Sequence, residues 1–227
     1  MEMDMKTKLV KIKICGLKTL ADIEIVNRYQ PDYIGFVFAK TRRFVTDQQA
    51  SDMRRSLDRR IQAVGVFVNE PLTHVIDLCD SGVINVVQLH GGEPETYIRE
   101  LKQKTNIPVI KAVRVQSVEQ VTKQMSQEAD YMLYDTYKEG EPGGTGERFS
   151  LEILKESFLW LREKGQSIKP YFLAGGLDCG NVAKVLDQMA CYAVDVSTGV
   201  ETDGVKDEGK IRKFIETVRS TACYTGG

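Results

Sequence analysis

The chain has 227 residues, enough for one large domain or two small ones. Apolar residues make up 42%, charged residues 28%, and the formal net charge is -1, so no charge excess exists to draw the protein to nucleic acid or an anionic membrane. The opening MEMDMKTK lacks the apolar run of a signal peptide, and no later run approaches the roughly 20 residues of a membrane span, so a cytoplasmic protein is expected.

In chain order, short β-branched runs alternate with longer amphipathic stretches. Strands are expected at Val10–Cys15, Tyr33–Phe38, Ala63–Val68, Val83–Leu89, Val109–Val113, Tyr131–Asp135, Tyr171–Ala174 and Ala193–Val196. Helices are expected between them, with start signals at Thr19, at Thr46 and Asp47, at Pro71 and at Pro94. Each unit spans about 28 residues, close to the minimum for a βαβ repeat. This favours a single-domain (β/α)8 barrel over residues 1–227, with flexible tails at 1–8 and 220–227, rather than a doubly wound sheet. CGLKT stands where a dinucleotide fold would place GxGxxG, and no GxxxxGK[ST] occurs. Five cysteines (Cys15, Cys79, Cys179, Cys191, Cys223), widely spaced and without a CxxC pair, indicate neither a disulfide framework nor a thiolate metal site.

Chemistry concentrates at the strand ends. Cys15 closes LVKIKIC and Asp135 closes YMLYD; in a parallel barrel the carboxyl ends of all strands open on one mouth, so a thiol and a carboxylate can face one substrate. An enzyme is the leading reading, with a buried structural thiol and a turn-capping carboxylate as the bland alternatives. FLAGGL and VDVSTGVE put Gly175, Gly176, Ser197, Thr198 and Gly199 on adjacent strands. Glycine backbone and hydroxyl donors there form a phosphate cradle, and tight turns are the competing account. EPGGTG, Glu141 to Gly146, has the composition of a flexible loop able to close over substrate, or of a plain connector. Gln88 and His90, two residues apart, face the same side at the fourth strand end, whereas His74 is expected on the surface. Two histidines so placed do not make a metal site.

KICGLKT, DYIGFVFAKTRRFV, VGVFVNE, VQLHGGE, the Asp135 to Gly146 segment ending GGTG, LAGGLDCGNV and VDVSTGVETDGVKD resemble, in order, the blocks of the phosphoribosylanthranilate isomerase family. The resemblance runs from about Lys11 to Phe214. It implies a (β/α)8 barrel that needs no metal or organic cofactor and acts on a small phosphosugar. A monomer or a homodimer is expected. It also implies Cys15 as general base, Asp135 as general acid and Arg43 as the arginine on the anthranilate carboxylate. Gln88, His90, Gly144, Gly175, Gly176, Ser197, Thr198 and Gly199 would complete the substrate site. The chain departs from the family at TRR, where Arg42 competes with Arg43, at STG in place of SSG, and at RFSLEIL, which lacks the usual Asp-Trp pair.

The implied Amadori rearrangement needs an acid at the furanose ring oxygen and a base at C2′. Asp135, with a reference pKa of about 3.9, would carry its proton in about one molecule per thousand at pH 7, so a raised value is expected. Cys15, with a reference near 8.5, is only a few per cent thiolate; Lys13, on the same side of the strand, is a candidate cation beside it or else an ordinary strand-start lysine. The competing functions are a metal-dependent phosphosugar epimerase, for which His and Asp ligands are too few, and a barrel that binds a phosphate ester without catalysis.

Overall fold

The computed structural model describes residues 9–125, 128–136 and 145–221, and of 145–150 only the backbone. Among the described residues eight barrel strands alternate with eight helices: β1 Lys11–Cys15, α1 Leu20–Tyr29, β2 Tyr33–Val37, α2 Asp47–Ser56, β3 Gln62–Phe67, α3 Leu72–Asp80, β4 Val86–Leu89 and α4 Glu95–Lys104. They continue as β5 Val109–Arg114, α5 Val118–Gln124, β6 Tyr131–Asp135, α6 Thr145–Glu163, β7 Tyr171–Ala174, α7 Val182–Gln188, β8 Ala193–Val196 and α8 Glu208–Thr221. Between β8 and α8 lies a short hairpin, β9 Glu201–Thr202 with β10 Val205–Lys206. Strands β1 to β8 pair in parallel, each with the next, and β8 pairs with β1 to close the barrel. Among the described residues no helix is long and apolar enough to cross a membrane.

The strands read as continuous apolar runs because both of their faces are buried. Outward residues such as Ile12, Ile14, Ile34, Phe36, Val87, Val113, Met132 and Leu173 pack under the helices. Inward residues Val64, Val66, Val86, Ile110, Ala112, Leu133, Phe172 and Ala193 fill the lumen. Near the strand starts Phe172 makes edge contacts with Tyr33, Tyr131 and Tyr192, and the Tyr33 and Tyr192 hydroxyls lie 2.7 Å apart. This aromatic plug closes the end opposite the mouth. Phe172→Ala opens a cavity in that plug, and thermal or urea unfolding should register a loss of about 3–5 kcal/mol.

The expected helix starts hold. Thr19 and Asp22 form a capping box on α1, and Thr46 and Gln49 another on α2, each side chain accepting the other's backbone N–H. Pro71 and Pro94 directly precede α3 and α4. Several strand ends fall one residue from the pattern, and two boundaries differ by more. The fourth strand begins at Val86 rather than Val83, because Val83 and Ile84 pack outside the barrel after the turn that ends α3. Asn85 then accepts the Ala63 N–H at 2.6 Å and holds the entry to β4 against β3. At the other end α8 carries regular helix through Thr221, so residues 220 and 221 are not tail. Residues 1–8 and 222–227 lie outside the described residues.

Candidate active site

At the carboxyl ends of the strands the lumen changes from apolar to charged. Alternation along each strand turns Lys13 and Cys15 of β1, Gln88 of β4, Asp135 of β6 and Asp195 of β8 inward, above Val86, Leu133 and Ala193. Cys15 is buried, 9% exposed as a residue, and its thiol reaches this position because β2 runs beside it with Gly35, where any Cβ would overlap the sulfur.

Lys13 is fully buried and donates to Asp195 Oδ2 at 2.9 Å. Burial alone would lower its pKa, but the Asp195 carboxylate and the neighbouring thiol outweigh burial and raise it. Burial pushes the Cys15 thiol up; the Lys13 and Lys206 charges oppose that push and Asp195 adds to it. Asp195 is raised by burial and opposed by Lys13, and it also responds to His90 and Asp135. Asp195 thus stands within electrostatic reach of the thiol on one side and of the His90 and Asp135 pair on the other. Its second oxygen, Oδ1, is buried without a hydrogen-bond partner among the described residues, as is Gln88 Oε1.

Asp135 keeps 21% of its side chain exposed at the mouth, with His90 Nε2 3.8 Å from its Oδ2. The Gln88 amide nitrogen lies 2.9 Å from His90 Nδ1. With that amide as donor, the neutral ring carries its proton on Nε2, facing the Asp135 carboxylate. The loop behind His90 is fixed from outside the barrel. Lys111 points outward from β5, buried, and donates to Glu93 Oε2 at 2.8 Å and to the Gly91 carbonyl at 2.7 Å; Glu93 also accepts the Asn69 and Gly91 N–H groups.

Across the rim, the loops after β7 and β8 lie against each other. Asp178 bridges to Gly199, and a Cβ at Gly199 would collide with the Leu177 carbonyl. Asn181 donates to the Gly176 carbonyl at 2.8 Å and accepts the Asp178 N–H at 2.9 Å, which braces the turn containing Gly175 and Gly176. Ser197 Oγ donates to the Cys15 carbonyl at 3.0 Å, so this hydroxyl ties β8 to β1, while Thr198 Oγ1 accepts from Arg43 at 2.7 Å.

Arg42 and Arg43 share one carboxylate. Arg43 donates from Nε to Glu201 Oε1 at 2.8 Å and from its terminal nitrogen to Oε2 at 3.1 Å; Arg42 reaches Oε2 at 2.6 Å. Arg43 is the more enclosed, with 20% of its side chain exposed against 50% for Arg42. Lys206 donates to Glu201 Oε1 at 2.9 Å. Burial opposes the charge on Glu201, yet Arg43, Lys206 and Arg42 together hold its carboxyl at about 2.

Asp195, Glu201 and Lys206 escaped the sequence reading. Period-two spacing from Ala193 through Asp195 to Ser197 was the available sign for the first. The Asp203-Gly204 pair, the usual centre of a two-residue hairpin turn, was the sign for the hairpin that carries the other two; both residues have positive φ, 51° and 79°. His74 lies on α3 with its side chain 32% exposed, where it bridges Glu70 at 2.7 Å and Asp47 at 3.0 Å. Gly144 and the rest of 137–144 lie outside the described residues, and α6 starts at Thr145. Among the described residues no three His, Cys, Asp or Glu side chains are grouped to hold a metal.

The model of the family described as N-(5'phosphoribosyl)anthranilate (PRA) isomerase matches residues 12–217. The chain belongs to the phosphoribosylanthranilate isomerase family. It is 48% identical over 209 residues to N-(5'-phosphoribosyl)anthranilate isomerase of Lachnoclostridium phytofermentans, covering 91% of this chain and 96% of that one. The crystal structure of phosphoribosyl anthranilate isomerase from Thermotoga maritima is 34% identical with a TM-score of 0.79, over 93% of this chain and all of that one. A second solved structure, 32% identical with a TM-score of 0.76 and the same coverage, is of phosphoribosyl anthranilate isomerase in complex with reduced 1-(o-carboxyphenylamino)-1-deoxyribulose 5-phosphate. Membership places this chain among the isomerases of tryptophan biosynthesis, built on the (β/α)8 barrel that its strand pattern predicts.

Proposed function

We propose that this isomerase converts N-(5-phosphoribosyl)anthranilate into 1-(2-carboxyphenylamino)-1-deoxyribulose 5-phosphate by an Amadori rearrangement, with Asp135 as general acid and Cys15 as general base. The observation that carries the reading is the sector of charge at the barrel mouth, where thiol and carboxylate flank Asp195 beside the paired β7 and β8 loops. The 32%-identical relative solved with a reduced form of this ketose supports the same substrate class.

In this scheme the protonated Asp135 gives its proton to the furanose ring oxygen as the C1′–O bond breaks, leaving an open-chain iminium. The Cys15 thiolate then takes the C2′ proton, and those electrons neutralise the iminium to an enolamine. Loss of the O2′ proton and gain of one at C1′ complete the aminoketone, so atoms and electrons balance without an outside oxidant or reductant. The Arg43 guanidinium, preorganised on Glu201, suits the planar anthranilate carboxylate. Gly175, Gly176, Thr198 and Gly199 line the place for the phosphate. Ser197 holds its strand to β1 through the Cys15 carbonyl.

The direct test is turnover. Phosphoribosylanthranilate generated in place should lose its anthranilate-type fluorescence on addition of the protein, at a rate unchanged by chelators; no loss would favour a phosphate-ester binding barrel. Gly199→Ala should force the two loops apart and weaken competitive inhibition by inorganic phosphate about tenfold or more, which corresponds to about 1.4 kcal/mol.

A further inference from the structure

We propose that Lys206 is a positioning residue for the thiol: held in place by the β9–β10 hairpin, its ammonium supplies the electrostatic stabilisation that lets Cys15 ionise. The catalytic consequence rests on Cys15 being the base, as proposed above; the effect on the thiol itself does not.

The geometry starts with a buried cation. The Lys206 side chain is 2% exposed, and its Nζ donates to the Ser197 carbonyl at 2.9 Å and to Glu201 Oε1 at 2.9 Å. Ser197 in turn donates from Oγ to the Cys15 carbonyl at 3.0 Å, so a single residue separates the ammonium from the thiol's own backbone. Lys210 donates to the Glu201 carbonyl at 2.7 Å and fastens the hairpin from the start of α8.

Charge balance then singles out Lys206 from the other cation beside the thiol. Lys13, on β1, is the stronger influence and hydrogen-bonds the thiol, but it is also ion-paired with Asp195 of β8 at 2.9 Å, and the Asp195 charge works against the thiolate as Lys13 works for it. Lys206 shares Glu201 with Arg42 and Arg43, three cations on one carboxylate, so its cluster keeps a positive excess. The Lys206 charge acts on Cys15, and Cys15 acts back on Lys206. Burial lowers the Lys206 pKa from the ordinary lysine value, with the Glu201 carboxylate opposing that loss of charge. The remaining ionisable groups around the mouth, Arg43 from the loop after β2, His90 after β4 and Asp135 on β6, are retained in every variant below, so the comparison isolates Lys206.

The test reads the thiol directly. Below its pKa, the alkylation rate of a thiol follows its thiolate fraction, which falls tenfold for each unit of pKa increase. Modification of Cys15 by iodoacetamide at pH 8, followed by mass spectrometry of the Cys15 peptide, should slow about tenfold in Lys206→Met and be restored in Lys206→Arg. Lys206→Gln, whose amide can still donate to Glu201 or Ser197, is a second neutral variant should the methionine disturb folding, and should slow the reaction similarly. Equal rates in the parent and a folded neutral variant, or equal slowing by Lys206→Arg, would overturn the proposal. The kcat/KM profile separates the two readings. Slower alkylation together with displacement of its acidic-side rise to higher pH supports both, whereas slower alkylation with an unmoved profile keeps the role of Lys206 and removes Cys15 as the base.

Discussion

Cys15→Ser is expected to fold as the parent does and to lose turnover by on the order of 10²–10⁴-fold, the range for removal of a positioned acid-base group. The substitution exchanges sulfur for oxygen in a space that Gly35 leaves open, and the Cys15 carbonyl still receives the Ser197 hydroxyl. A serine hydroxyl does not ionise under these conditions, so the C2′ proton loses its acceptor. The pH profile supplies a readout that a packing defect would not. With the thiolate as base, parent kcat/KM falls as pH drops through the thiol pKa, and burial holds that pKa above the ordinary cysteine value. In Cys15→Ser the acidic-side dependence should vanish while the fall at higher pH remains. Turnover near the parent level in a folded variant would remove Cys15 from the mechanism.

Asp135→Asn is expected to reduce kcat to a comparable degree, again on the order of 10²–10⁴-fold, because in the proposed scheme the ring oxygen loses its proton donor. The sign of its pH dependence is opposite. A group that must be protonated to act makes the rate fall as pH rises through its pKa, so the variant should lose the alkaline-side fall. Its residual rate should continue to climb until Cys15 is ionised. The folded state should survive the substitution, since the side chain sits partly exposed at the rim and asparagine is nearly isosteric with aspartate. An unchanged alkaline limb would count against Asp135 as the acid.

The barrel was legible because its strands, buried on both faces, announce themselves as β-branched runs at regular spacing; Tyr131–Asp135, Tyr171–Ala174 and Ala193–Val196 match residue for residue. The start of β4 was not, since Val83 and Ile84 are as apolar as strand residues but are buried by α3 and the turn after it. Within the site, Cys15, Asp135 and the glycine loops were visible from their places at strand ends. Asp195, Glu201 and Lys206 were not, because a charged residue carries no mark of burial in one dimension. Their burial is produced by partners far away in sequence, Lys13 for Asp195 and the Arg42–Arg43 pair for Glu201. The same contacts recast the choice between the two arginines: both share one anchor, but Arg43 binds it in two places and also reaches Thr198.

A crystal structure of this protein with a reduced, non-reacting form of the ketose product tests most directly whether thiol and carboxylate address one sugar. The account predicts Cys15 Sγ against the C2 carbon and an Asp135 oxygen within hydrogen-bond reach, about 2.6–3.2 Å, of the oxygen on C4. A bound sugar contacting only one of the two groups, or lying with C2 turned away from the sulfur, would contradict it.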